Sequence, residues 1–87
     1  MKFQPGKIVA TPGALSLSEQ GINLLAYLHR HLNGDWGDLD EEDMAENDFS
    51  LQHGYRVLSA YKIPNGKLWI ITEADHSATT FLLPSEY

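Results

Sequence analysis

Tyr55-Arg56-Val57-Leu58-Ser59-Ala60-Tyr61-Lys62-Ile63-Pro64-Asn65-Gly66-Lys67-Leu68-Trp69-Ile70-Ile71-Thr72-Glu73 is the stretch on which the fold of this 87-residue chain turns. Two runs rich in β-branched and aromatic residues flank Asn65-Gly66. That pair favours tight hairpins because its backbone tolerates positive φ. Residues 55–63 and 67–73 therefore read as paired antiparallel strands. Leu68-Trp69-Ile70-Ile71 is apolar on both faces of the pleat, as expected of a central strand covered from both sides. A turn at 74–77 leads into a third strand at 78–83, where Thr79 and Thr80 admit some water.

Upstream the pattern is helical. Lys7–Ala10 reads as a short strand. Thr11 then suits a helix N-cap, with Pro12 at the first helical position where its missing N–H costs nothing. That helix ends near Gly21. Asn23 caps a second helix, with Ile22 and Tyr27 spaced as a hydrophobic staple. In this helix Leu24, Leu25, Leu28 and Leu32 form the apolar stripe, and Asn33-Gly34 closes it. Asp35-Trp36-Gly37-Asp38-Leu39 is a loop. Asp40 caps a third helix running to about His53, with Glu41, Glu42 and Asp43 in the first turn where the helix dipole favours negative charge. Gly54 stops it. The expectation is one α+β domain over residues 1–87: about three short helices packed on a three-stranded antiparallel β-meander, with Lys7–Ala10 available as an added N-terminal strand.

Composition excludes several classes. There is no cysteine, hence neither a disulfide framework nor a thiolate zinc site. Hydrophobic residues at 43% argue against disorder. A net charge of −6 argues against direct nucleic-acid contact, which needs Lys and Arg to displace counterions. The N-terminus lacks the apolar core of a secretion signal, and no run approaches a membrane span. A cytoplasmic, bacterial protein without cofactor is expected.

The charge is concentrated. Asp35, Asp38, Asp40, Glu41, Glu42, Asp43, Glu46 and Asp48 lie within fourteen residues that contain no Lys or Arg. The rest of the chain holds six basic and four acidic residues. A calcium loop needs a central Gly and a distal Glu at fixed spacing. Starting from Asp38 these positions hold Asp43 and Phe49; starting from Asp35 the central position is Asp40. No metal site follows. The plain alternative is a capped, solvated helix start, although Glu42–Glu46 and Asp43–Glu46 are like-charge pairs at contact spacing. Asp35, Trp36, Asp38, Glu42, Asp43 and Glu46 are the candidate partner-binding residues. Trp36 alternatively plugs the core edge and bonds through its indole N–H. Asp48 sits either at the rim or in a salt bridge with Arg30 or Arg56. His29 and His31 point in nearly opposite directions on a helix and cannot share an ion. Asp75-His76-Ser77 is turn composition and not a triad, whose members converge from separate segments.

The segments Ile8-Val9-Ala10-Thr11-Pro12-Gly13-Ala14-Leu15, Gly34-Asp35-Trp36-Gly37-Asp38-Leu39, Trp69-Ile70-Ile71-Thr72-Glu73-Ala74-Asp75-His76-Ser77 and Leu82-Leu83-Pro84-Ser85-Glu86-Tyr87 resemble a family of small bacterial proteins associated with plasmids and other mobile elements. The resemblance runs along nearly the whole chain. It implies a compact α+β domain and carries over no catalytic residue or substrate. Many members have Arg where this chain has His76, which weakens a role for that histidine. Some are described as the modification subunit of a type I restriction enzyme. The residues here argue against a DNA methyltransferase, since neither a Gly-rich strand–loop–helix nor an Asn/Asp-Pro-Pro-aromatic motif is present.

The leading expectation is a non-catalytic accessory protein that presents the acidic face 35–48 to a basic protein such as a toxin, a nuclease or a DNA-binding protein. Imitation of DNA phosphates is one form of this, though eight carboxylates are sparse beside the charge of duplex DNA. Two alternatives belong to other classes. One is a weak metal-dependent or hydrolytic enzyme using His31, His53 and the acidic loop. The other is a homodimer associating through the sheet, required if helices leave one side of the doubly apolar strand uncovered.

Overall fold

A computed structural model describes all 87 residues. In chain order it contains β1 (Lys7–Ala10), α1 (Pro12–Glu19), α2 (Leu24–Leu32), α3 (Glu41–His53), β2 (Val57–Ile63), β3 (Gly66–Thr72), β4 (Ala78–Leu82) and a closing 3-10 turn at Pro84–Glu86. The sheet order is β1-β4-β3-β2. The last three strands form the expected antiparallel meander, and β1 joins it parallel to β4. The parallel pairing follows from the crossover, because all three helices lie between β1 and the meander in sequence.

Local chemistry explains the boundaries. Thr11, Asn23 and Asp40 each accept a backbone N–H in the first turn of α1, α2 and α3, at 3.3, 3.3 and 2.8 Å. Gly54 ends α3 in the left-handed conformation with φ +77°. Asn65 takes φ +67° in the β2–β3 turn.

One face of the sheet carries Val57, Tyr61, Leu68, Ile70 and Phe81 into a core shared with Phe3, Ala14, Leu28, Leu32 and Trp36. The stripe of α2 differs from the sequence expectation. Leu24, Leu28 and Leu32 face inward, but Leu25 is 68% exposed. Its place on the buried face goes to His31, which is fully buried. Positions 24, 28, 31 and 32 and positions 24, 25, 28 and 32 each fall within an arc of about 100° at 3.6 residues per turn, so the helical repeat admits either set. On the opposite sheet face Ala60, Ile71 and Leu82 are buried beside Trp69, whose ring meets Tyr87 edge-on at 5.6 Å. Trp69 itself is half-buried and Tyr87 is 63% exposed, so the chain covers this second face only in part. No helix is long and apolar enough to cross a membrane.

The outer edge of β2 is closed from within the chain. Asn47 on α3 donates to the Leu58 carbonyl at 2.6 Å and accepts the Leu58 N–H at 3.2 Å. Ala60 N–H donates to the Trp36 carbonyl at 3.1 Å, and Asp38 N–H to the Ala60 carbonyl at 2.6 Å. A bare edge invites pairing with other chains, and this one is occupied.

Candidate functional site

The loop between α2 and α3 divides the acidic segment into three environments. Its first carboxylate, Asp35, meets the Arg30 guanidinium at 2.7 Å. That contact, aided by the Gly37 N–H, holds the Asp35 carboxyl below its ordinary range. The same guanidinium lies over the Tyr61 ring at 4.6 Å, and the Tyr61 hydroxyl donates to the Asp35 carbonyl at 2.6 Å. Burial pushes the Tyr61 phenol up to about 12. Asp38 is also paired, with Lys67 at 3.3 Å and Lys62 at 3.9 Å. The fold therefore brings cations from α2, β2 and β3 to a segment that has none in sequence.

The second environment is the core. Trp36 is 3% exposed and cannot form part of a contact face, which corrects its inclusion among the partner-binding residues. Its ring stacks on Phe3 at 6.3 Å and meets His31 edge-on at 5.7 Å. Its indole N–H donates to Asp48 Oδ1 at 2.9 Å. The expected Asp48 salt bridge is thus also corrected. Arg30 is engaged by Asp35, and Arg56 reaches the Tyr87 hydroxyl instead. Asp48→Ala leaves a buried indole donor without a partner, so a loss of roughly 1–3 kcal/mol is expected in urea unfolding. A mutant unfolding with the wild-type midpoint would show that water replaces the carboxylate.

The third environment is the exposed side of α3. Glu41, Glu42, Asp43 and Glu46 are exposed, and no Lys or Arg stands within ion-pair distance of any of them. Asp40 is the helix cap. Glu42, Glu46, Phe49 and His53 follow each other along one stripe. Phe49 is 54% exposed, with His53 at 4.2 Å and Tyr55 at 6.2 Å between ring centres. The sequence reading missed this aromatic end. The signal was available in the spacing 42, 46, 49, 53, which puts Phe49 in register with carboxylates. Glu46 of the stripe and Asp43 beside it stand over a cleft of about 250 Å³ whose apolar lining is Leu39 and Leu58, with Asn47 between.

The histidines do not form a centre. No three His, Asp or Glu side chains converge as metal ligands. His31 contacts Ser59 and Thr72 but is fully buried, as they are. A Ser–His pair without access to a substrate carbonyl is not placed for acyl transfer. Instead it belongs to a chain of hydrogen bonds whose direction can be assigned. The Thr79 hydroxyl donates to the Pro5 carbonyl at 2.7 Å, so it accepts from Thr72 at 2.7 Å. Thr72 has then used its proton and accepts from His31 Nε2–H at 2.9 Å. Nδ1 is left as an acceptor for the Ser59 hydroxyl at 2.5 Å. The imidazole is neutral and in one tautomer, and burial pushes its pKa down to about 4. Comparison with family models, curated proteins and solved structures finds no match for the chain.

Proposed function

We propose that this is a non-catalytic interaction protein of the bacterial cytoplasm that binds a basic protein through the exposed side of α3. The observation that carries the reading is the cleft beside α3. Its floor, Leu39 and Leu58, is apolar, and its rim carries the unpaired carboxylates of Asp43 and Glu46. A Lys or Arg side chain has the matching form, an apolar stem ending in a cation. Glu42 extends the negative rim, and Phe49 with Tyr55 offers the aromatic surface that anchors interfaces. Asp35 and Asp38 contribute less, because cations of the same protein already hold them. The resemblance to mobile-element proteins favours a toxin, a nuclease or another DNA-binding protein as the basic partner.

Affinity capture from cells that make the protein, at low and high salt, tests this reading. The expected result is a basic partner whose retention falls steeply with salt. Asp43→Lys/Glu46→Lys should weaken its binding by roughly a hundredfold, and Phe49→Ala by roughly tenfold. Retention that ignores both salt and the charge reversal would sink the proposal.

A further inference from the structure

The two edges of the sheet are treated differently. The β2 edge is closed by Asn47, Trp36 and Asp38, whereas nothing in the chain closes β1. Lys7 N–H bonds to the Ser77 carbonyl and Thr11 N–H to the Phe81 carbonyl, so odd positions of β1 face β4. Strand alternation then directs the N–H and C=O groups of Ile8 and Ala10 away from the sheet. Beside this edge, Ile8, Leu15, Ile22, Leu25 and Phe81 line an apolar groove of about 500 Å³ between β1, α1 and α2.

We propose that a second copy of this chain occupies the β1 edge, the two β1 strands pairing antiparallel about a two-fold axis at Val9. In this register Ile8 lies opposite the other copy's Ala10. These are the outward-facing residues, so each such pair exchanges both of its main-chain hydrogen bonds. The result is one continuous sheet of two four-stranded halves with β1 at its centre. It is independent of the α3 reading, since it uses the opposite edge.

Three observations select this occupant. The first is charge. Lys7 falls opposite Thr11 of the other copy, and the Thr11 hydroxyl donates to the Glu86 carboxylate at 2.6 Å. Lys7 has no acidic partner within its own protomer, nor Glu86 a basic one. The pairing supplies both, twice, across the axis. The second is area. Ile8, Val9, Leu15 and Leu25 are 47%, 39%, 52% and 68% exposed. Covering them in both copies, with the flanking backbone, removes on the order of 1,000 Å² from water, the lower bound of a specific interface. The third is repulsion. α3 packs on β2, three strand spacings from β1, so in the paired sheet the two acidic helices end up seven spacings, or roughly 30 Å, apart, several Debye lengths.

Sedimentation of the full chain from micromolar to millimolar concentration, with amide exchange followed by NMR, tests the proposal. A concentration-dependent dimer is expected, in which exchange at Ile8 and Ala10 N–H slows as the dimer fills. Lys7→Glu, which sets two carboxylates against each other, should raise the dissociation constant roughly tenfold at low salt and less at high salt. Ile8→Pro removes an outward N–H while leaving the β1–β4 ladder intact, and should abolish the dimer. If that variant fails to fold, Lys7→Glu and the exchange rates still decide. A monomer at millimolar concentration overturns the proposal. So does a dimer that ignores Lys7→Glu, or one that leaves Ile8 and Ala10 exchange unchanged.

Discussion

Replacing His31 with alanine is expected to lower stability by about 4 kcal/mol, from lost packing, from the Ser59 hydroxyl left without its acceptor and from the Thr72 oxygen left without its donor. A domain of this length holds only about 4–13 kcal/mol in total, so the variant should lie near the limit of folding. The melting temperature should fall by roughly 20 °C. The imidazole links α2 to β2 through Ser59 and to β3 through Thr72, and the chain continues through Thr79 on β4 to Pro5 before β1. A half-satisfied polar network costs more than an apolar core of the same shape. The combination His31→Leu, Ser59→Ala and Thr72→Val should therefore recover more than half of the loss. Urea midpoints for the single and triple variants measure this. An alanine variant as stable as the wild type would show that the buried chain contributes nothing.

The same residue sets an acid limit. Its native pKa is about 4 against 6.5 in the unfolded chain. Between these values the unfolded state binds a proton that the native state does not, so stability falls as pH falls. The contribution is complete above pH 6.5 and declines through the interval, reaching a loss of about 3 kcal/mol near pH 4. The triple variant, without the imidazole, should lose this part of the slope when urea midpoints are compared at pH 7.5 and 4.5. An unchanged slope would place the acid sensitivity elsewhere.

Gly37→Ala should be comparably severe for a different reason. Gly37 has φ +79°, and a Cβ there would lie 2.1 Å from the Ala60 carbonyl oxygen and 2.6 Å from the Tyr61 ring. The left-handed conformation alone costs about 1–2 kcal/mol for a residue with a Cβ, and the clash with backbone adds at least as much. Gly37 bridges to Ala60, so the change displaces the segment that closes the β2 edge. Loss of stability by about 3 kcal/mol and faster aggregation are both expected. Gly54→Ala is the control, because Gly54 has similar φ but open space around it. It should cost about 1 kcal/mol and leave aggregation unchanged. Equal effects of the two variants would mean that strain, and not edge closure, dominates at Gly37.

Local signals made the meander, the hairpin turn and the three helix caps legible in the sequence. Each depends on residues within a few positions of one another. Thr11, Asn23 and Asp40 cap whatever packs above them, and Asn65 turns the chain before β3 exists. What was not legible depends on contacts between distant residues. No local rule distinguishes His31 from Leu25 as the inward residue of α2, because Ser59 and Thr72 make the imidazole tolerable there. Asp48 looked like half of a salt bridge until the indole of Trp36 was placed beside it. The acidic segment looked uniform because Arg30, Lys62 and Lys67 reach it only through the fold. Its unpaired remainder on α3 is a smaller and more sharply bounded surface than the run of letters suggested.

The parallel pairing of β1 with β4 also dictates an order of events. Lys7 meets Ala78, whereas Ile63 meets Gly66 across a tight turn. Hairpins close in microseconds, but joining segments some seventy residues apart carries a loop-closure cost paid only once the intervening structure is compact. The meander should consolidate early and β1 should arrive last. On the ribosome Ile8-Val9-Ala10 emerges long before its partner strand is made. For that interval the chain carries an apolar strand with nothing to pair with. Substitutions in β1 should then leave the folding rate nearly untouched and speed unfolding, the mark of an element absent from the transition state.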